Sequence, residues 1–129
     1  MHQGTAASPM LISFDIDGTM AFGEPPGPVP VSFVQAAIDA GHIVGSASDR
    51  TTAGQRRLWA VHATAVRFTG HKHHLGILRE RFPAVVRFIH VGDTEVDQRY
   101  AVKAEFEFWH VDDAPAFLGR GWPDLGIAR

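Results

Sequence analysis

Asp15 and Asp17, separated by a single residue, are the side chains of this sequence with the clearest chemical potential. They follow an apolar run over residues 10–14 and precede Gly18 and Thr19. Residues two apart on a strand point to the same face, so we expect the two carboxylates side by side. Adjacent carboxylates repel each other and favour a shared proton or a bound cation, and the hard cation Mg²⁺ suits such oxygen ligands. One carboxylate is then placed to attack an electrophile while the other transfers protons.

The same residues also allow a purely structural interpretation. An Asp-Gly pair flanked by apolar residues, as at Asp17-Gly18, is a strong β-hairpin signal. In a hairpin, the next strand would return antiparallel beside the first. The remainder of the chain argues against this alternative, because its pattern is that of a parallel sheet.

Apolar segments of strand length alternate with helical segments along the chain. We predict strands over about 11–15, 42–47, 65–69, 86–91 and 106–111, and helices over about 32–40, 52–61, 75–82 and 95–105. Ser32 and Gln35 have the spacing of a capping box, and Gly41 is placed to end that helix. The Pro-rich segment 23–30 is predicted to be a loop. Asp113 is expected to cap a short last helix, followed by an irregular tail.

This alternation predicts an α/β fold with three layers, in which helices cover both faces of a Rossmann-like sheet of five parallel strands. Ligands of such sheets bind beyond the carboxyl ends of the strands. Asp15, Ser48 and Asp93 each lie at the end of a predicted strand. We therefore expect these three side chains to converge on one site.

Composition limits the classes of protein that this chain can belong to. It has 129 residues, 45% of them hydrophobic, which suits one globular domain; we assign residues 10–129 to it and residues 1–9 to a disordered tail. The absence of cysteine excludes disulfides and thiolate chemistry. A formal net charge of −2 with scattered basic residues makes nucleic acid an unfavourable partner. Without an apolar run long enough to span a membrane, or a signal peptide, we expect a soluble, cytoplasmic protein.

Four short segments resemble the motifs of the haloacid dehalogenase-like (HAD) phosphohydrolases. The segment 14–19, Phe-Asp-Ile-Asp-Gly-Thr, is similar to the first motif, and 92–97, Gly-Asp-Thr-Glu-Val-Asp, to the fourth. Ser48 and Lys72 resemble the residues of the second and third motifs. The resemblance covers about residues 10–113 and implies a strand order of 5-4-1-2-3, dependence on Mg²⁺, and phosphoryl transfer through an aspartyl-phosphate.

The resemblance also implies a role for each matching residue. Asp15 would be the nucleophile, and Asp17 the acid that protonates the leaving oxygen and then the base that activates water. Mg²⁺ would be bound by the Asp15 carboxylate, the Asp17 backbone carbonyl and the Asp93 carboxylate. Ser48 and Lys72 would bind the phosphoryl group. Asp97 would orient Lys72 or a metal-bound water.

Several of these residues have simpler interpretations. Ser46 competes with Ser48 for the second motif, and Lys72 could be an exposed loop lysine. Asp97 falls in the first turn of a predicted helix, where the dipole favours a carboxylate whatever the function. The segment 71–74, His-Lys-His-His, is either a metal-binding cluster, a contact to substrate or, as we favour from sequence, a solvated loop. Arg50 is assigned to a solvated face, with contact to an anion as the alternative.

These observations predict a Mg²⁺-dependent phosphatase of phosphomonoesters. The alternative is a receiver-like or degenerate HAD-fold module that binds Mg²⁺ and phosphate without turnover. The intervals between the first three motifs are too short for an inserted cap domain, so at most residues 21–30 form a small flap. We therefore expect either a macromolecular substrate or, slightly favoured, a small phosphorylated metabolite whose site is covered by a neighbouring chain of a homo-oligomer.

Overall fold

Five parallel strands form the centre of the fold: β1 (Leu11–Phe14), β2 (Ile43–Ala47), β3 (Phe68–Gly70), β4 (Phe88–Gly92) and β5 (Glu107–His110). They belong to a computed structural model of the chain, which describes residues 9–125. Their order is β3-β2-β1-β4-β5, with every pairing parallel. This is the predicted order 5-4-1-2-3 read from the opposite edge, so the α/β class and the strand order are confirmed.

Helices cover both faces of the sheet: α1 (Val31–Asp39), α2 (Thr52–Val61), α3 (Leu75–Arg81), α4 (Glu95–Lys103) and α5 (Ala114–Leu125). Two 3-10 turns, Lys72–His74 and Val111–Asp113, precede α3 and α5. One hydrophobic cluster joins the sheet to α1, α2 and α5, and a second joins it to α3 and α4. The sheet is therefore the middle layer of three.

β1 is the central strand and carries the first aspartate to the middle of the sheet edge. All four of its residues are fully buried, since β2 and β4 flank it and helices cover both faces. Ile12 and Phe14 face one hydrophobic cluster, and Leu11 faces the other. Because β1 pairs in parallel on both sides, the hairpin interpretation of Asp17-Gly18 is wrong.

The segment between β1 and α1 is a loop that folds back over its own start. Met20 and Val29 form an isolated bridge, and the N–H groups of Gly23 and Gly27 both donate to the carbonyl of Met20 at 2.9 Å. A Cβ on Gly27 would lie 2.4 Å from the backbone of Gly18 and Thr19, so the loop is packed against the turn that follows β1. We call residues 21–30 the flap.

The capping box predicted at Ser32 and Gln35 is wrong. The helix begins at Val31, and its N-cap is Pro30, which has extended backbone angles and makes no side-chain cap. Ser32 therefore lies inside the first turn, and Gln35 donates to Asp39 one turn later, at 2.9 Å. A proline with its fixed φ pre-sets the entry into the helix one residue earlier than the Ser-based motif would.

The end of the described chain also differs from its prediction. Instead of a short helix and an irregular tail, α5 runs for 12 residues to Leu125. Phe117 and Trp122 on this helix are buried against α1, and the Trp122 indole N–H donates to the carbonyl of Phe33 at 2.6 Å. Burial of these two aromatic side chains outweighs the weak helix propensity of the segment.

The other differences concern element ends. β3 begins at Phe68, three residues later than predicted, and β4 begins at Phe88, which leaves Val86 80% exposed. The proposed tail over 1–9 lies outside the described residues except for Pro9. Within residues 9–125, no helix is both long and apolar enough to cross a membrane.

Candidate active site

The carboxyl group of Asp15 and the ammonium of Lys72 lie against each other, buried beyond the carboxyl ends of the strands. Asp15 directly follows β1, Lys72 lies in the 3-10 turn after β3, and their exposed fractions are 4% and 5%. The Lys72 Nζ lies 3.2 Å from Asp15 Oδ2 and 3.3 Å from Asp97 Oδ1, with a longer contact of 3.7 Å to Asp49. The structure thus brings together three predicted site residues from three separate segments.

The surroundings of Asp15 oppose its ionisation. Burial, together with repulsion from Asp97, raises the pKa of Asp15 to about 8, although Lys72 and the N–H of Ile16 pull in the other direction. That N–H donates to Asp15 Oδ1 at 2.7 Å. A carboxylate in this position becomes a stable anion only when further positive charge is brought to it.

Asp97 is a fully buried carboxylate with four partners. Its Oδ1 lies 2.8 Å from His90 Nε2, and its Oδ2 accepts from the hydroxyl and the N–H of Thr94 at 2.8 and 3.2 Å, completing a capping box at the start of α4. The fourth partner is Lys72. Burial alone would raise the pKa of Asp97, but hydrogen bonds from His90 and Thr94 and the charge of Lys72 hold it well below its usual range. The surroundings of Asp97 therefore favour its ionised form, which contacts the ammonium of Lys72.

Asp93 supplies a carboxylate that fits a metal ion. It lies against Gly18, where a Cβ would come 1.9 Å from Asp93 Oδ2. Asp93 Oδ1 is buried and has no hydrogen-bond partner among the described residues, and carboxylate oxygens of Asp15, Asp93 and Asp97 lie within 4.8 Å of one another. A buried anion without a partner is completed by a hard divalent cation. Asp15, Asp93 and the Asp17 carbonyl would hold Mg²⁺ here, while Asp97, which is bound to His90 and Thr94, would contact Lys72.

Asp17 has partners of its own. Arg50 contacts its carboxylate in bidentate fashion, with Nη2 2.9 Å from Oδ1 and Nε 3.1 Å from Oδ2, and the N–H of Glu24 in the flap donates to Oδ1 at 2.8 Å. Burial would raise the pKa of Asp17, but the hydrogen bonds from Arg50 and Glu24 hold it below its usual value. The side chain of Arg50 remains 36% exposed, so it lies at the solvated surface, and its guanidinium is also used in this ion pair.

The two serines of β2 and its extension have different surroundings. The hydroxyl of Ser46 donates to Gln55 Oε1 at 2.7 Å and accepts from the indole N–H of Trp59 at 2.9 Å, entirely inside the core. The hydroxyl of Ser48 accepts the N–H of Arg50 at 3.1 Å and has no acceptor for its own proton among residues 9–125. The geometry therefore favours Ser48 as the residue free to donate to a ligand.

Two residues of the site network were not recognised in the sequence as part of it. His90 lies inside β4, where a histidine in an apolar run looks like a core residue, and Arg50 follows Ser48 in a polar segment that resembles solvated surface. A histidine one residue before the Val-Gly-Asp of the fourth motif is the one signal that could have suggested a polar network. No family model, no curated protein and no solved structure matches this chain.

Proposed function

We propose that this protein is a Mg²⁺-dependent phosphatase that hydrolyses phosphomonoesters through an aspartyl-phosphate on Asp15. The observation that carries the proposal is the buried Asp15 carboxylate, which lies against the ammonium of Lys72 and within reach of an unpartnered oxygen of Asp93. A nucleophilic carboxylate needs positive charge around it to approach a phosphate dianion. Bound Mg²⁺ would supply part of that charge and favour the ionised form of Asp15.

The residues around Asp15 have distinct tasks in this proposal. A carboxylate oxygen of Asp15 attacks phosphorus as the ester P–O bond breaks, and the leaving oxygen takes a proton and departs as the alcohol. During this step the ammonium of Lys72 and the hydroxyl of Ser48 donate to the phosphoryl oxygens. Asp97 keeps Lys72 charged and oriented. Water then attacks the aspartyl-phosphate, which releases inorganic phosphate and returns Asp15 to its carboxylate form.

Asp17 is the proposed general acid, and its ion pair with Arg50 constrains that role. The carboxyl group must lose the bidentate contact before it can hold a proton, because the ion pair keeps its pKa low. A substrate with an anionic leaving group would compete for the guanidinium of Arg50 and release Asp17. Proton transfer to the leaving oxygen would thus follow substrate binding.

The lack of an inserted cap bears on the substrate. Only the flap, α1 and β2 separate Asp17 from Ser48, and only α2 and β3 separate Ser48 from Lys72. We propose a small phosphorylated metabolite, with a neighbouring chain of a homo-oligomer excluding water from the site; a phosphorylated macromolecule is the alternative. Light scattering gives the oligomeric state, and a panel of phosphate esters gives the substrate class, so together they separate the two versions. A strict monomer that is selective for one small ester contradicts both versions.

The experiment that tests the activity is Mg²⁺-dependent release of phosphate from p-nitrophenyl phosphate. We expect Asp15→Asn to reduce turnover by at least about 10³-fold, because the covalent step needs the carboxylate. Asp112→Asn, which alters an 89% exposed aspartate outside the site, is the matched control and should keep wild-type turnover. Turnover near the wild-type rate in Asp15→Asn would rule out this nucleophile. Mg²⁺ and beryllofluoride binding without any turnover would favour the non-catalytic module.

A further inference from the structure

Three imidazoles converge on the surface next to the proposed phosphatase site. His71 follows β3, and His73 and His74 belong to the 3-10 turn that also carries Lys72. Their ring centroids lie 4.0 to 6.0 Å apart, and one ring nitrogen from each lies within 4.8 Å of the other two. The 3-10 turn produces this convergence, since the side chains lie on its outer side while Lys72 is buried on the inner side.

The cluster contains a polar atom without a partner. Nε2 of His71 is buried and makes no hydrogen bond with any described residue. A buried polar atom in this state indicates a missing ligand, either water or an ion. His73 and His74 are exposed, so their rings can rotate toward His71 at little cost.

The chemistry of the donors identifies the class of ligand. Three neutral imidazoles are a poor site for Mg²⁺, which prefers oxygen, but a good one for Zn²⁺ and other late first-row divalent metals. Ring nitrogens about 2.0–2.1 Å from a tetrahedral ion lie about 3.4 Å apart, so the cluster needs to contract by little more than an ångström. We propose that His71, His73 and His74 bind a Zn²⁺ ion, distinct from the Mg²⁺ of the carboxylate cluster.

The surroundings leave the fourth position of this ion open. A cavity of about 290 Å³ is lined by His71 and His74 together with residues of α2, β3 and α3. A water molecule or an anionic group in this cavity can complete the coordination, as in other three-histidine sites. Zinc binding would also rigidify the turn that carries Lys72. Any effect of this on phosphate binding rests on the proposed function, but the zinc site itself does not.

The proposal is tested on full-length protein without a histidine tag, stripped with chelator and held in excess Mg²⁺. Isothermal titration with Zn²⁺ should give one site per chain, and Co²⁺ should give the visible absorption of tetrahedral coordination. In His73→Gln/His74→Gln the affinity should fall by well over tenfold, since losing even an outer-shell partner of a metal site typically costs 10- to 100-fold. Zn²⁺ should also raise the melting temperature of the wild type and leave that of the double variant unchanged.

Two controls locate the ion. His110→Gln removes a partly exposed histidine outside the cluster, and Asp93→Asn removes a carboxylate of the proposed Mg²⁺ site. Both should bind Zn²⁺ as the wild type does. The proposal is overturned if the wild type binds neither Zn²⁺ nor Co²⁺, if the double variant, folded by circular dichroism, binds as the wild type does, or if Asp93→Asn abolishes binding. None of these readouts depends on phosphatase activity.

Discussion

His90 is connected to Asp15 by an unbroken series of buried polar contacts. The histidine contacts Asp97 at 2.8 Å, Asp97 contacts Lys72 at 3.3 Å, and Lys72 contacts Asp15 at 3.2 Å. On its other side, His90 Nδ1 lies 3.0 Å from the hydroxyl of Ser13. Both ring nitrogens are thus used, and the position of the imidazole determines where the ammonium of Lys72 lies. We interpret His90 as a positioning residue.

This interpretation predicts a specific effect of His90→Phe. The variant leaves Asp97 with one fewer hydrogen bond, which should lower the free energy of unfolding by about 1–3 kcal/mol. Because Lys72 loses its fixed anchor, KM for a phosphate ester should rise several-fold more than kcat falls. In His90→Gln, whose side-chain amide can donate to Asp97, KM should rise less than in His90→Phe. Steady-state kinetics and urea unfolding give both quantities.

The matched control for this prediction is His42→Phe. His42 is also a buried histidine, and its Nδ1 accepts the N–H of Met10 at 3.0 Å, away from the site. The His42→Phe variant should lose about as much free energy of unfolding as His90→Phe, without a change in KM. An equal rise in KM in both variants would show that His90 acts only through the stability of the fold.

Strand ends explain why part of the site could be predicted residue by residue. Asp15, Ser48 and Asp93 could be placed because parallel strands bring the residues after them to one edge. The partners of these residues could not be placed in the same way. Whether Arg50 turns toward solvent or toward Asp17 depends on the path of the flap, and no local pattern encodes that path.

At the scale of elements, one aromatic side chain of the flap packs against α2, in addition to the backbone hydrogen bonds that close the flap. Phe22 stacks on His62, with ring centroids 4.5 Å apart, and meets Trp59 edge-on at 5.1 Å. Both partners belong to the end of α2. Two residues further along the flap, the N–H of Glu24 donates to Asp17. The flap therefore contacts both α2 and the proposed acid.

We predict that Phe22→Ala loosens the flap while the sheet stays intact. Amide hydrogen exchange should become faster at Gly23, Gly27 and Val29, whose N–H groups close the flap, and remain unchanged in β1 and β4. Val61→Ala, which truncates a 72% exposed side chain on the same helix, is the control and should exchange like the wild type. Unchanged exchange at these three amides in Phe22→Ala would show that the backbone bonds hold the flap without the aromatic contact.

Element types were easier to predict than element ends. Apolar periodicity was sufficient to locate the main helices and strands. Gly41, which adopts a positive φ of 95°, marked the end of α1. The start of α1 was misplaced because Pro30 competes with Ser32 as the entry residue. The length of α5 depends on Phe117 and Trp122 meeting α1, a contact between residues that are distant in the sequence.

For the whole molecule, the strand order places three separate segments of the chain around one buried group of charges: the residue after β1, the turn after β3, and the β4–α4 region. Asp15, Asp93 and Asp97 bring three carboxylates to the edge of the sheet, and Lys72 is the one buried lysine or arginine among the described residues. Such a group lowers the stability of the fold unless a proton or a cation compensates it. Stability and cation binding should therefore be coupled through pH.

The sign of that coupling follows from Asp15. Its folded-state pKa of about 8 exceeds the ordinary 3.8, so the folded protein keeps a proton that the unfolded chain has lost. The contribution of this proton to the free energy of unfolding is fully present below pH 3.8 and is lost as the pH rises toward 8. The neighbouring Asp97 and the buried His42 have lowered pKa values and act in the opposite direction, but only below about pH 4 and pH 6.5 respectively. Lys72, whose pKa is raised, does not titrate in this range.

Between pH 6.5 and 8, therefore, Mg²⁺-free protein should become less stable as the pH rises. The free energy of unfolding in urea should fall by at most about 1.4 kcal/mol per pH unit, the value for one proton, and level off above about pH 8. Asp15→Asn should remove this slope, and Asp112→Asn should keep it. Saturating Mg²⁺ should flatten the slope in the wild type, because a bound cation favours the ionised carboxylate at all these pH values. A wild-type slope that persists unchanged in Asp15→Asn would assign the proton to another group and remove the physical basis for a cation at Asp15.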